Sequence, residues 1–217
     1  MANRVILIIS ALNTTAKEDF TPFLNRRGYS LEVFKTTAEG QAEEKDSKEI
    51  IRNDLLKLNT QGASAALYAR SFGALDKEGI EQIKSLVKVP VVVSTESIVK
   101  HLKLCGGPIY VITPYSQARH EMEIKWLEEN GLEVSGSLCM ERIEGAVISK
   151  VTPEDMIRAV KIANISLHSK GIYIACTFLP TLGIFDQLQK ETKLPITSAN
   201  SAIADDFVSL IAVHKND

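Results

Sequence analysis

The stretch VITPYSQARHEMEIKWLEENGLEVSG, residues 111–136, lies over IISALNTTAKEDFTPFLNRRGYSLEV, residues 8–33, and this pairing decides the fold. Ser10 falls on Thr113, Leu12 on Tyr115, Leu24 on Leu127 and Gly28 on Gly131, all at one constant offset. A second pair follows. ALYARSFGALDKEGIEQIKSLVKVPVVVS, residues 66–94, lies over IYIACTFLPTLGIFDQLQKETKLPITSA, residues 172–199, with Pro90 on Pro195. With one adjustment YARS falls on IACT, so Arg70 is the counterpart of Cys176. A period of about a hundred residues is too long for a solenoid. It predicts two similar lobes that face each other.

Outward from these stretches, short apolar runs alternate with helical patterns. RVILIIS, YSLEVFKT, ASAALYA and VPVVVS read as strands in the first half. PIYVIT, LEVSG, GIYIAC and LPITS read as strands in the second. Between them, AKEDFTPFLNRRG is a polar-faced helix ending at Gly28, and Asp76 to Val87 is another. AEEKDSKEIIRNDLLKL is amphipathic, with Ile50, Ile51, Leu55 and Leu58 on one face and a solvated charged face opposite. Further helices are expected near Glu154–His168, from about Pro180, and at the C-terminus. Continuous apolar strands alternating with helices predict an α/β fold whose parallel sheets are covered on both faces. The lobes are expected at 1–100 and 101–199, with a last helix at about 200–217 packing back on the first lobe.

Composition bounds the function. The 217 residues hold 25 Lys and Arg against 27 Asp and Glu, mixed along the chain, for a net charge of −2. No basic face is evident, so no nucleic-acid partner is expected. The opening MANRVILIISALNTT has too short an apolar run for a signal peptide or a membrane span. Cys105, Cys139 and Cys176 show no paired spacing, which argues against a disulfide framework and fits a reducing cytoplasm. The four histidines are scattered without metal-ligand spacing, so no metal is expected.

In open parallel sheets ligands sit at the carboxyl ends of strands. Asn13-Thr14-Thr15, Arg70-Ser71, Pro114-Tyr115 and Cys176-Thr177 all lie there. Cys176-Thr177 precedes the helix expected near Pro180, whose first N–H groups would favour an anion and lower a thiol's pKa. Cysteine is equally a common buried residue. Asn13 or Thr14 could hold a carboxylate or simply cap the next helix. Tyr115 could orient a substrate or serve as an aromatic lid on a turn. Cys105 and Cys139 have no neighbouring base and are read as structural.

Taken together, ISALNTTAKEDF, YARSFGA, VITPYSQARHEMEIKWLEENGLEV and IACTFLPTLGIFDQLQKETKLPITSANSA resemble the aspartate/glutamate racemase superfamily. The branch is similar to maleate cis-trans isomerase and arylmalonate decarboxylase. The resemblance implies two Rossmann-like lobes related by a pseudo-twofold axis, with no metal and no organic cofactor. It implies chemistry at a carbon next to a carboxylate. It makes Cys176 the second-lobe catalytic cysteine, Tyr115 the tyrosine of the TPY motif, and Asn13 a substrate-binding asparagine. Ser71 and Thr177 would help to hold carboxylates, with Thr14 beside Asn13. A further asparagine of the isomerases falls on Gly145.

One position departs. Where the racemases and maleate isomerase carry their first cysteine, this chain has Arg70. A guanidinium stays protonated and is a poor nucleophile, but it can hold a carboxylate with two parallel hydrogen bonds. Facing Cys176 across a cleft, it would also favour the thiolate. The expected protein is therefore a cofactor-independent enzyme on a small carboxylic or dicarboxylic acid. It would use a decarboxylase-like or one-base proton transfer with Cys176 as acid/base and Arg70 as anchor. The alternatives are maleate-type isomerisation and non-catalytic carboxylate binding. A homo-oligomer is possible.

Overall fold

The computed structural model describes residues 3–37, 44–71, 76–142 and 145–213. In chain order the first half runs β1 (Asn3–Ser10), α1 (Thr15–Asn25), β2 (Tyr29–Thr36), α2 (Glu44–Leu55), β3 (Ala63–Tyr68), α3 (Lys77–Leu86), β4 (Val91–Val93) and α4 (Ser94–Lys103). The second half runs β5 (Ile109–Thr113), α5 (Gln117–Glu129), β6 (Val134–Cys139), α6 (Gly145–Ile148), α7 (Pro153–Ile162), β7 (Gly171–Ile174), α8 (Phe185–Lys190), β8 (Ile196–Ser198) and α9 (Ala199–Val213). The strands form two four-stranded parallel sheets in the same order, β2-β1-β3-β4 and β6-β5-β7-β8. The internal repeat read from the sequence is thus a repeat of topology.

The strand sequences explain the layers. Val5, Leu7 and Ile9 of β1 point into one core with Ala16, Phe20 and Leu24 of α1. Ile6 and Ile8 point into the other, with Ile51 and Leu55 of α2 and Ile83 of α3. A strand buried on both faces needs an unbroken apolar run, and β1 and β5 supply one. Gly28 and Gly131 stop α1 and α5 at the same point with φ of 79° and 78°, a left-handed turn that a side chain would strain.

Two helices cross between the halves. Ile98 and Leu102 of α4 lie in the core of the second sheet. Ile203, Ala204 and Phe207 of α9 lie in the core of the first, where Phe207 meets the edges of Phe23 and Tyr29. The division read at residue 100 falls inside α4.

Several boundaries differ from the sequence reading. VPVVVS is a strand only to Val93, and Ser94 opens α4, a helix the sequence reading omitted. The strand read as LEVSG begins at Val134 and runs on to Cys139. The helix read to His168 stops at Ile162, where Ala163 turns extended and the Ser166 hydroxyl accepts from the His168 N–H to make a local turn. The helix expected from Pro180 begins only at Phe185.

Candidate active site

Each sheet reverses its strand order between its first and third strands, β1/β3 and β5/β7. Such a switch point opens a crevice at the carboxyl edge. The chain leaving these four strands carries Asn13, Arg70-Ser71, Tyr115 and Cys176-Thr177. Register fixes the correspondence between halves. The Ala69 N–H donates to the Ile8 carbonyl and the Ala175 N–H to the Ile112 carbonyl, each at 2.9 Å. On the other side of these strands the Ala66 N–H donates to the Pro90 carbonyl and the Ile172 N–H to the Pro195 carbonyl, each at 2.9 Å, and four residues on from Ala66 and Ile172 stand Arg70 and Cys176, in equivalent places.

The two halves join at this point. Asn13 Nδ2 donates to Thr177 Oγ1 at 3.1 Å and to the Thr177 carbonyl at 3.3 Å. The Thr177 hydroxyl donates to the Ala69 carbonyl at 3.0 Å, back across the junction. Asn13 Oδ1 meanwhile accepts from the Ala16 N–H at 3.0 Å, so Asn13 caps α1. Thr14 is exposed and makes no side-chain cap bond. Ser71 is buried beside Arg70. Gly145 opens α6, away from the four switch-point segments in sequence.

Cys176 has φ of 86°. A cysteine in this left-handed region carries a strain of about 1–3 kcal/mol, which functional sites commonly retain. Its thiol is buried, and burial pushes its pKa up to about 11. The Phe178 N–H, the Tyr115 side chain and the Arg119 charge pull the other way, while Glu123 adds to the rise. The low thiol pKa expected from the sequence is thus overturned. The anion-binding N–H groups anticipated at a helix start near Pro180 are not offered to a ligand. Those of Thr181, Leu182 and Gly183 donate to the carboxylate of Asp19 at 3.0, 2.9 and 3.2 Å, joined by Asn200 Nδ2 at 2.9 Å.

Arg70 is also not the cation felt by Cys176. Its Nη1 donates to Thr36 Oγ1 at 2.8 Å, at the end of β2 in its own half. Its charge lies beside the buried Tyr68 hydroxyl. The cation near Cys176 is Arg119 on α5, whose guanidinium stands 4.9 Å from the centre of the Tyr115 ring. Cys139, read as structural, donates its thiol to the Tyr115 carbonyl at 3.1 Å and so props the segment that carries Tyr115.

Behind Tyr115 lies a buried cluster that sequence reasoning missed. Glu123 on α5 is 2% exposed, and the Tyr173 hydroxyl of β7 donates to its Oε1 at 3.3 Å. Burial pushes Glu123 up to about 8, against the opposing pull of Tyr173 and Arg119. His120 is held between Thr113 Oγ1 at 2.8 Å and Ser137 Oγ at 2.9 Å, and burial lowers its pKa. One signal was available: Glu123 shares a helix face with buried His120, Trp126 and Leu127, where an acid is out of place. Asp19 likewise shares the face of Ala16, Phe20 and Phe23.

Among the described residues, no helix is long and apolar enough to cross a membrane. Comparison with known proteins agrees with the geometry. Maleate isomerase of Alcaligenes faecalis is 28% identical over 114 residues, 52% of this chain and 45% of that protein. The matched region thus spans less than half the length of this curated relative. The structure of the maleate isomerase of Pseudomonas putida S16 superposes with a TM-score of 0.84 at 14% identity, over 97% of this chain and 93% of that one. A crystal structure of arylmalonate decarboxylase superposes with a TM-score of 0.73 at 17% identity, over 95% and 92%. The sequence profile of the arylmalonate decarboxylase family matches residues 50–216, and the chain belongs to that family.

Proposed function

We propose that this protein is a cofactor-independent enzyme acting at the carbon next to a carboxylate of a small carboxylic or dicarboxylic acid. Cys176 serves as its single proton donor. The observation that carries this reading is the buried Cys176 thiol near Tyr115, at a position whose counterpart in the other half is an arginine. A proton can be delivered from one face only. In the decarboxylase-like course the bond to the departing carboxylate breaks, CO₂ leaves, and the electron pair stays on the carbon as an enediolate. The Cys176 S–H then gives its proton to that carbon and becomes a thiolate. Tyr115 and neighbouring N–H groups stabilise the developing charge. In this reading Arg70, steadied by Thr36, anchors a second carboxylate.

The test uses purified protein with phenylmalonate. CO₂ release, or exchange of the α-proton in D₂O, is expected, and Cys176→Ala should abolish it. Full activity in that variant sinks the assignment. The sequence match to maleate isomerase favours a second reading, isomerisation of maleate. Appearance of fumarate from maleate, without CO₂ release from phenylmalonate, would replace the first reading with this one.

A further inference from the structure

Strand β6 ends at Cys139, and the chain beyond it runs beside Thr113-Pro114-Tyr115, the segment that leaves β5. The pairing slips at this point. Thr113 lies opposite Cys139, and the Met140 N–H donates to the Thr113 carbonyl at 2.8 Å. Bonds in a parallel ladder are evenly spaced, so an unbroken one would bring the Arg142 N–H to the Tyr115 carbonyl. The Arg142 N–H donates instead to the Pro114 carbonyl, at 2.8 Å. Glu141, with φ of 53°, takes up the extra residue in the left-handed region, as a bulge does where pairing ends beside a site. The Tyr115 carbonyl that the slip takes from Arg142 accepts from the Cys139 thiol at 3.1 Å. Next along, the His120 N–H donates to the Ser116 carbonyl at 2.9 Å. Thr113, Pro114 and Ser116 are thus held through backbone N–H groups, and Tyr115 is held through a side chain.

The equivalent residue of the other half does a parallel job. Cys139 stands opposite Thr113 at the end of β5, and Thr36 stands opposite Ser10 at the end of β1. Thr36 Oγ1 accepts from Arg70 Nη1 at 2.8 Å. The last residue of each edge strand therefore fixes one side of the candidate site.

We infer that Cys139 is a positioning residue that sets Tyr115 for the reaction by holding its carbonyl. This rests on the reading of Tyr115 as a group that stabilises charge beside Cys176. The Tyr115 hydroxyl sits at the far end of a ring that turns about only two bonds, so a small swing of the backbone displaces it further. Cys139→Ala removes the donor and leaves the three backbone bonds in place. Cys139→Ser supplies a hydroxyl donor where a thiol is a weak one. With phenylmalonate, kcat of Cys139→Ala should fall about tenfold with KM nearly unchanged, because a shift of about 1 Å at a catalytic group can cost roughly 100-fold. Cys139→Ser should recover most of the loss. All three proteins are assayed at a temperature where urea denaturation shows them fully folded. An alanine variant as active as wild type, or a serine variant as impaired as the alanine one, overturns the inference.

A second arm needs no turnover. The chain has five tyrosines, and fluorine NMR of protein grown with 3-fluorotyrosine resolves them, with Tyr115→Phe identifying the resonance of Tyr115. In Cys139→Ala that resonance should move more than those of the other tyrosines, and in Cys139→Ser it should return toward its wild-type position. A Tyr115 resonance unmoved in Cys139→Ala overturns the inference whatever the activity. A resonance that moves and is restored, in a protein that acts on neither phenylmalonate nor maleate, supports the positioning and counts against the substrate reading alone.

Discussion

Cys176 and Arg70 show how one equivalent position can hold two chemistries. Both follow the third strand of a sheet by the same hydrogen-bond register. One is a thiol kept neutral by burial, the other a guanidinium whose charge is permanent. The neutral thiol has a measurable consequence. Its folded pKa is pushed up to about 11, above the ordinary thiol value, so alkylation of Cys176 by iodoacetamide should keep accelerating well above pH 9. A rate that levels off near the ordinary value of about 8.5 would mean the thiol is not buried as described. Arg70 has a different signature. Replacing it with Met should raise KM for a dicarboxylate roughly tenfold or more, the scale of a lost charged hydrogen-bond pair, and should leave a monocarboxylate nearly unaffected. Equal changes for both acids would remove Arg70 from the second carboxylate.

At the scale of elements, the segment after β7 carries the site, and it is held by α1 from the other half. Asp19 of α1 receives the Thr181, Leu182 and Gly183 N–H groups and the Asn200 amide. Removing the acceptor leaves the three backbone donors unpaired, while Asn200 Nδ2 keeps the Leu179 carbonyl at 3.1 Å, and each buried unsatisfied group costs about 1–3 kcal/mol before water relaxes it. Asp19→Ala should therefore lose on the order of 3 kcal/mol in urea denaturation and lower kcat, because the backbone that sets Cys176 loosens. Wild-type stability in that variant would show the contacts to be incidental. This clamp also marks where sequence reading stopped. The strands were legible because β1 and β5 are apolar on both faces, and the repeat was legible because Gly28 and Gly131 end equivalent helices. The four switch-point segments followed from those strand ends. Asp19 was not legible as a ligand, because its partners are backbone groups 162 to 164 residues away. The start of α8 was misplaced for the same reason: the N–H groups taken for a helix start belong to Asp19. Glu123 escaped because Tyr173 is recruited from another strand.

For the molecule as a whole, the pH dependence of stability reports on the buried cluster. Glu123 has an ordinary value of 4.5 and a folded value of about 8. Between these, the native state holds a proton that the unfolded state has released, so stability falls as pH rises. Asp19, also displaced upward by burial, adds the same sign from the acidic side. His120 acts oppositely. Its pKa is lowered in the fold, so below its ordinary 6.5 the unfolded state binds the extra proton and stability rises with pH. Above that value His120 is neutral in both states, which leaves the interval from 6.5 to 8 dominated by Glu123. The slope is at most about 1.4 kcal/mol per pH unit, so roughly 2 kcal/mol should be lost across it. Glu123→Gln, which cannot ionise, should flatten this interval, remove the Glu123 contribution down to about pH 4.5 and leave the curve below that unchanged. Parallel curves for wild type and variant in urea titrations at pH 6.5 and 8 would place the Glu123 carboxyl in water and dissolve the cluster as described. A flat variant curve beside a falling wild-type curve would show that the fold accepts a less stable core to keep a protonated acid behind its thiol.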